Sequence, residues 1–159
     1  MSRPYEELAE RIRGEAADLD RLVQRALRAW NRCTKVSSEQ EIYMDSVALN
    51  LHGLYSGLER IFELTARRVD ESMPSGDLWH RDLLKQMSQE KKDVRPAIIG
   101  GGSFASLDEL RRFRHLVRNV YTFNLAPEKV EPIISDLDAL WSKVRAELLA
   151  FADFLEQAA

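Results

Sequence analysis

The sequence is poor in cysteine, in glycine and proline, and in long apolar runs. Its one cysteine, Cys33, excludes an internal disulfide, fits a reducing compartment and is expected to have a structural role. Seven glycines and five prolines, mostly between periodic segments, argue against a turn-rich β fold. No apolar run approaches the ~18 residues that a membrane span needs, and the first residues contain no apolar signal core. We therefore expect a cytoplasmic protein with no membrane partner.

Motifs for metal binding and for nucleophilic catalysis are also missing. The three histidines form neither an HExxH pair nor a cluster with cysteine, and the carboxylates are scattered. The sequence does not decide whether a Ser/His/Asp triad forms, although no nucleophile-elbow pattern points to one. The glycine run at 100–102 lacks the preceding strand and the following lysine of a phosphate-binding loop. We expect no metal and no other cofactor.

Length and charge limit the kind of protein. A chain of 159 residues suits one domain, which we place at 1–159. Its 23 Lys and Arg against 26 Asp and Glu give a net charge of −3. The protein as a whole is therefore not a general binder of polyanions, and any site for nucleic acid must be local.

Hydrophobic spacing predicts five helices, at about 4–33, 39–69, 77–91, 106–125 and from 127 onward. Capping boxes at Ser38 and Ser106 predict where the second and fourth helices begin. Gly53 and Gly57 lie four apart on one face of the second helix and predict the close approach of a neighbouring backbone. Tyr55, Phe62 and Leu78 are expected to face the core. The segment 92–105 is predicted to be an irregular loop. The fifth helix has the most regular apolar seam, formed by Val130, Ile134, Leu137, Trp141, Val144, Leu148, Phe151 and Leu155. The sequence thus predicts an all-α, up-down helical bundle.

The predicted fourth helix collects cations in a protein that is acidic overall. It carries Arg111, Arg112, Arg114, His115 and Arg118, and no acid follows until position 128. Guanidinium groups beside an imidazole suit RNA, because arginine holds phosphate in paired hydrogen bonds and histidine transfers protons near neutral pH. The alternative, on these residues alone, is a solvated basic face with no ligand.

Four segments, at 51–66, 78–87, 94–99 and 112–130, together resemble HEPN-domain proteins of the HepT-like type. The resemblance implies a helical bundle that forms a homodimer. It also implies a metal-independent endoribonuclease that acts as the toxin of a toxin–antitoxin pair. The partner would be a minimal nucleotidyltransferase antitoxin.

The signature of that family is an arginine, four to six residues, a histidine, one further residue and often a tyrosine. Arg114 takes the arginine position, and His115 takes the polar position beside it. Tyr121 takes the position of the tyrosine to which the antitoxin of relatives attaches AMP. Asn119 stands where the family has its histidine.

The resemblance assigns a role to each position. Arg114 would stabilise the charge of the phosphorane, and Asn119 would position the RNA. His115 is the candidate proton carrier, while Arg111 and Arg118 would bind flanking phosphates. Two copies would bring these helices face to face, with Arg114 and Tyr121 open to an RNA-binding groove.

Asparagine can hydrogen-bond a phosphate, but it cannot accept and return a proton as imidazole does. Three explanations stay open for Asn119. The natural protein has lost cleavage and kept a binding role, His115 substitutes, or a change was introduced to disarm a toxic protein. The rival functions are an inactive HEPN interaction module that binds the nucleotidyltransferase or RNA, and a plain helical scaffold for an acidic partner.

Overall fold

The computed structural model describes residues 3–36, 38–119 and 125–158. These ranges contain five α-helices. The side chains of Arg118 and Asn119 and all of Tyr121 lie outside this description. The helices are α1 (Arg3–Lys35), α2 (Gln40–Arg68), α3 (Trp79–Met87), α4 (Gly101–Asn119) and α5 (Pro127–Gln157). The described ranges contain no strand, so the predicted all-α class is confirmed.

The helices pack around one apolar core, in which α1 lies along α2 and α5. Helix α4 contacts α2, α3 and α5. All eight residues of the predicted α5 seam are buried, because steps of three and four residues keep one face toward the other helices. Pro127 lies in the first turn of α5, as predicted. Within the described ranges, no helix has the length and apolar character to cross a membrane.

Two glycines let α2 pack closely on α1. A Cβ at Gly57 would collide with the side chain of Leu19, and one at Gly53 would lie 3.3 Å from Cδ1 of Leu22. The close approach predicted at these glycines is confirmed, although leucine side chains rather than backbone fill the space.

Both predicted capping boxes are wrong. Helix α2 begins at Gln40, after Glu39 in the left-handed region with φ 65°, and no side chain caps it. Helix α4 begins at Gly101, so Ser106 lies inside the helix rather than at its start. For α4 the reason is a contact between residues far apart in the sequence. The Glu147 carboxylate on α5 accepts hydrogen bonds from the Gly100 N–H (2.6 Å) and the Ser103 hydroxyl (2.5 Å). A carboxylate there satisfies donors that a helix start leaves open and complements the positive end of the helix.

Helix α3 is shorter than the predicted 77–91, and Leu78, which we expected to point inward, is 54% exposed. A buried ion pair holds the segments around α3. The Arg95 guanidinium donates to the Asp70 carboxylate over 2.6 and 2.7 Å. It also donates to the backbone carbonyls of Gln86, Gln89 and Pro96. These contacts join the end of α2 to the end of α3 and so fix where α3 stands beside α4.

Candidate active site

The Arg114 side chain lies between α4 and α2 and is only 6% exposed. Its Nη1 donates to Oε1 of Glu59 over 3.0 Å, and its Nη2 donates to Oε2 over 3.1 Å. This is a two-pronged arginine–carboxylate pair, the strongest geometry for such groups. We expected the guanidinium to face an open groove between two copies, and a buried Arg114 to count against the nuclease; the single chain buries it. The reason is Glu59, which balances the charge of Arg114 beneath the surface.

His80 on α3 completes the ion pair. Its Nδ1 lies 2.7 Å from Oε2 of Glu59 and 3.1 Å from Nη2 of Arg114. The carboxylate can only accept a hydrogen bond, so we assign the ring proton to Nδ1, which donates to Glu59. Nε2 then keeps its lone pair. The His80 side chain is 28% exposed and stacks on Trp79, with ring centroids 3.7 Å apart.

Two residues of α2 surround the arginine on its inner side. Cζ of Arg114 lies 4.7 Å from the centre of the Tyr55 ring, which is within cation–π range. Burial raises the pKa of the Tyr55 hydroxyl, and the Glu59 carboxylate raises it further, so the phenol stays neutral. Nη1 of Arg114 also donates to the hydroxyl of the half-buried Ser56 over 3.3 Å. We call Tyr55, Ser56, Glu59, His80 and Arg114 the Arg114 cluster.

Glu59 and His80 were not among the predicted site residues. Glu59 had a detectable signal: it falls four residues after Tyr55 and three before Phe62, on a face that we assigned to the core. A charged residue at such a position needs a buried partner. The only signal for His80 in the sequence was its position in the segment 78–87, which resembles the HEPN family.

Arg111 forms an ion pair with Asp108 on its own helix, over 2.9 Å from Nε and 2.8 Å from Nη2. His115 lies on the exposed side of α4. The positive charge expected on this helix is thus partly balanced by Asp108 and Glu59. The predicted roles of Arg118, Asn119 and Tyr121 fall on side chains outside the described part.

Among the described residues, no group of three or more His, Cys, Asp or Glu could hold a metal ion. Cys33 is buried, and burial raises the pKa of its thiol. A thiol in that state is a poor nucleophile, which agrees with the structural role expected for it.

Comparison with protein families gives one match, to the family described as HepT-like protein, over residues 46–155. That range is more than half of the chain and contains all five residues of the Arg114 cluster. Searches of curated proteins and of solved structures found no match. The arginine expected from the family motif, and the helices that surround it, thus fall inside the matched range, and the chain belongs to the HepT-like family of HEPN-domain proteins.

Proposed function

We propose that this protein is a HepT-like toxin that cuts single-stranded RNA without a metal ion, as one half of a toxin–antitoxin pair. Family membership supports the general class. The observation that carries the cleavage proposal is the Arg114 cluster. In it a guanidinium, a carboxylate and an imidazole lie within 2.7–3.1 Å of one another, beside the surface.

These three groups suit the chemistry of RNA cleavage by transesterification. The ribose 2′-hydroxyl attacks the adjacent phosphate, and negative charge grows on the phosphoryl oxygens. A preorganised guanidinium stabilises such charge, and an imidazole held by a carboxylate can accept a proton. Products ending in a 2′,3′-cyclic phosphate and a 5′-hydroxyl follow from this attack.

The remaining assignments belong to the same proposal. Two copies pair through the region of α4, where Arg111 and Arg118 bind flanking phosphates and Asn119 positions the strand. A nucleotidyltransferase antitoxin attaches AMP to Tyr121 and so blocks the RNA site.

The test is cleavage of a fluorogenic single-stranded RNA by the purified protein in the presence of EDTA. We expect the wild type to cut it. Arg114→Lys should cut at least tenfold more slowly, because a single ammonium group replaces the planar guanidinium that makes two hydrogen bonds to Glu59. Arg112→Ala is the matched control, since Arg112 is an exposed arginine on the same helix, 64% accessible. Circular dichroism checks that all three proteins are folded. A wild type that leaves RNA intact would refute cleavage.

One observation favours a second function. Arg114 is almost fully covered and its charge is balanced by Glu59, while Asn119 cannot carry a proton. Both features suit a HEPN module that binds the nucleotidyltransferase without cleaving RNA. That module would bind its partner with unchanged affinity after Arg114→Lys and would show no nuclease activity in either form.

A further inference from the structure

Asparagine stands at position 119, where the family motif has its histidine, yet an imidazole from another helix contacts the arginine of the motif. We propose that His80 on α3 is the catalytic base of this protein and that Glu59 positions it. This inference rests on the proposed RNA cleavage and adds two residues to that site.

The first support is orientation. The Glu59 carboxylate receives the Nδ1 proton of His80 over 2.7 Å, which fixes the tautomer and leaves Nε2 as the basic nitrogen. A carboxylate behind the ring also stabilises the imidazolium that forms when Nε2 takes a proton. The flat face of Trp79 against the ring further limits its rotation.

The second support is access. Of the imidazole, the carboxylate and the guanidinium of the cluster, His80 is 28% exposed, whereas Glu59 is 8% and Arg114 is 6% exposed. The imidazole is therefore the most accessible of these three groups, and we assign the contact with RNA to it. Glu59, behind it, acts through His80 rather than on the substrate.

The third support is charge. Nη2 of Arg114 lies 3.1 Å from Nδ1 of His80, so the charge of the guanidinium stands on the Nδ1 side of the ring whose Nε2 is to act on RNA. The guanidinium lies against the buried Tyr55 ring, and fixed charges are more effective in surroundings shielded from water. His115 has no comparable position: it follows Arg114 by one residue, about 100° around α4, on the exposed side.

Nε2 of His80 takes the proton of the ribose 2′-hydroxyl, and the 2′-oxygen forms a bond to phosphorus. The bond between phosphorus and the 5′-oxygen breaks, and water protonates the departing oxygen. The imidazolium then returns its proton to the hydroxide, so neither a metal nor an oxidant is consumed.

The experiment compares single-turnover cleavage of the fluorogenic RNA by the wild type, His80→Ala, His115→Ala and Glu59→Gln, each at saturating protein. RNA affinity is measured by fluorescence anisotropy and folding by circular dichroism. His52→Ala is the matched control, a histidine of α2 to which the proposal assigns no role. We expect His80→Ala to lose about 10²–10⁴-fold in cleavage rate, the usual contribution of general base catalysis, with RNA affinity changed less than threefold.

Added imidazole separates a catalytic from a structural role. We expect it to restore cleavage by His80→Ala in a concentration-dependent way and to leave His52→Ala unaffected. Full activity of His80→Ala together with loss in His115→Ala would overturn the assignment and leave the proposed function standing. A folded wild type that does not cleave would overturn both. If folded His80→Ala loses cleavage and added imidazole does not restore it, His80 has a structural role and is not the catalytic base.

Discussion

Arg114 and Glu59 meet in two parallel hydrogen bonds although they lie 55 positions apart in the chain. The pair joins α4 to α2, and both side chains are less than one-tenth exposed. Burying two charges is costly, so such a pair does not guarantee net stability. Removing one partner, however, leaves the other charged and without compensation, which makes the pair sensitive to single substitutions.

Glu59→Ala is therefore expected to lower the free energy of unfolding by about 3–5 kcal/mol, measured by urea denaturation. Glu63→Ala, one turn further along α2, is the control and should cost less than about 1 kcal/mol. Arg114→Met in the Glu59→Ala background should recover part of the loss, because it removes the unpaired cation. A double variant less stable than Glu59→Ala alone would contradict this account of the pair.

Asn119→His should raise the rate of RNA cleavage about 10²–10⁴-fold, because it adds an imidazole that can protonate the departing 5′-oxygen. The measurement is single-turnover cleavage beside the wild type. Asn119→Gln is the matched control and should give no increase. Equal and negligible cleavage by all three proteins would argue against ribonuclease activity.

Glu147→Ala should lower the free energy of unfolding by about 0.5–2 kcal/mol, the usual cost of losing a helix cap. The reason is that the first turn of α4 loses the carboxylate that accepts from Gly100 and Ser103. Thermal unfolding followed at 222 nm measures it. Glu131→Ala, an exposed change on the same helix, should leave the midpoint within a degree or two of the wild type. Equal midpoints for both variants would show that Glu147 does not cap α4.

Gly57→Ala should destabilise the fold by about 1–3 kcal/mol, because the added methyl group meets the Leu19 side chain. Gly14→Ala offers a matched control inside α1, where a Cβ would meet nothing within 4 Å. That change should instead stabilise by about 0.4–1 kcal/mol, since alanine favours helix. Chemical denaturation gives the free energy of unfolding of both variants. It should fall for Gly57→Ala and rise for Gly14→Ala, and a change in the same direction for both would contradict this account.

Tyr121→Phe tests the proposed modification. When the wild type is incubated with its nucleotidyltransferase partner and ATP, we expect intact-mass spectrometry to show the addition of one AMP. The phenylalanine variant lacks the acceptor oxygen and should stay unmodified, while Tyr43→Phe should be modified like the wild type. AMP found on Tyr121→Phe would place the acceptor elsewhere.

Local periodicity was enough to predict the fold class and most of the core. The α5 seam and the glycines of α2 were predicted because each depends on residues three or four positions apart. The start of α4 was mispredicted because its cap is supplied by Glu147, far away in the sequence. Arg114 was found through its motif, but its partners Glu59 and His80 come from other helices, and local spacing carries no information about such contacts.

The contact between Glu147 and the first turn of α4 also bears on synthesis. Glu147 lies in the last helix, so a growing polypeptide that has just emerged with α4 does not yet contain the carboxylate on which that helix begins. The first turn of α4 thus gains this cap only after α5 has left the ribosome. Until then, the helix that carries Arg114 is less stable by the contribution of that contact.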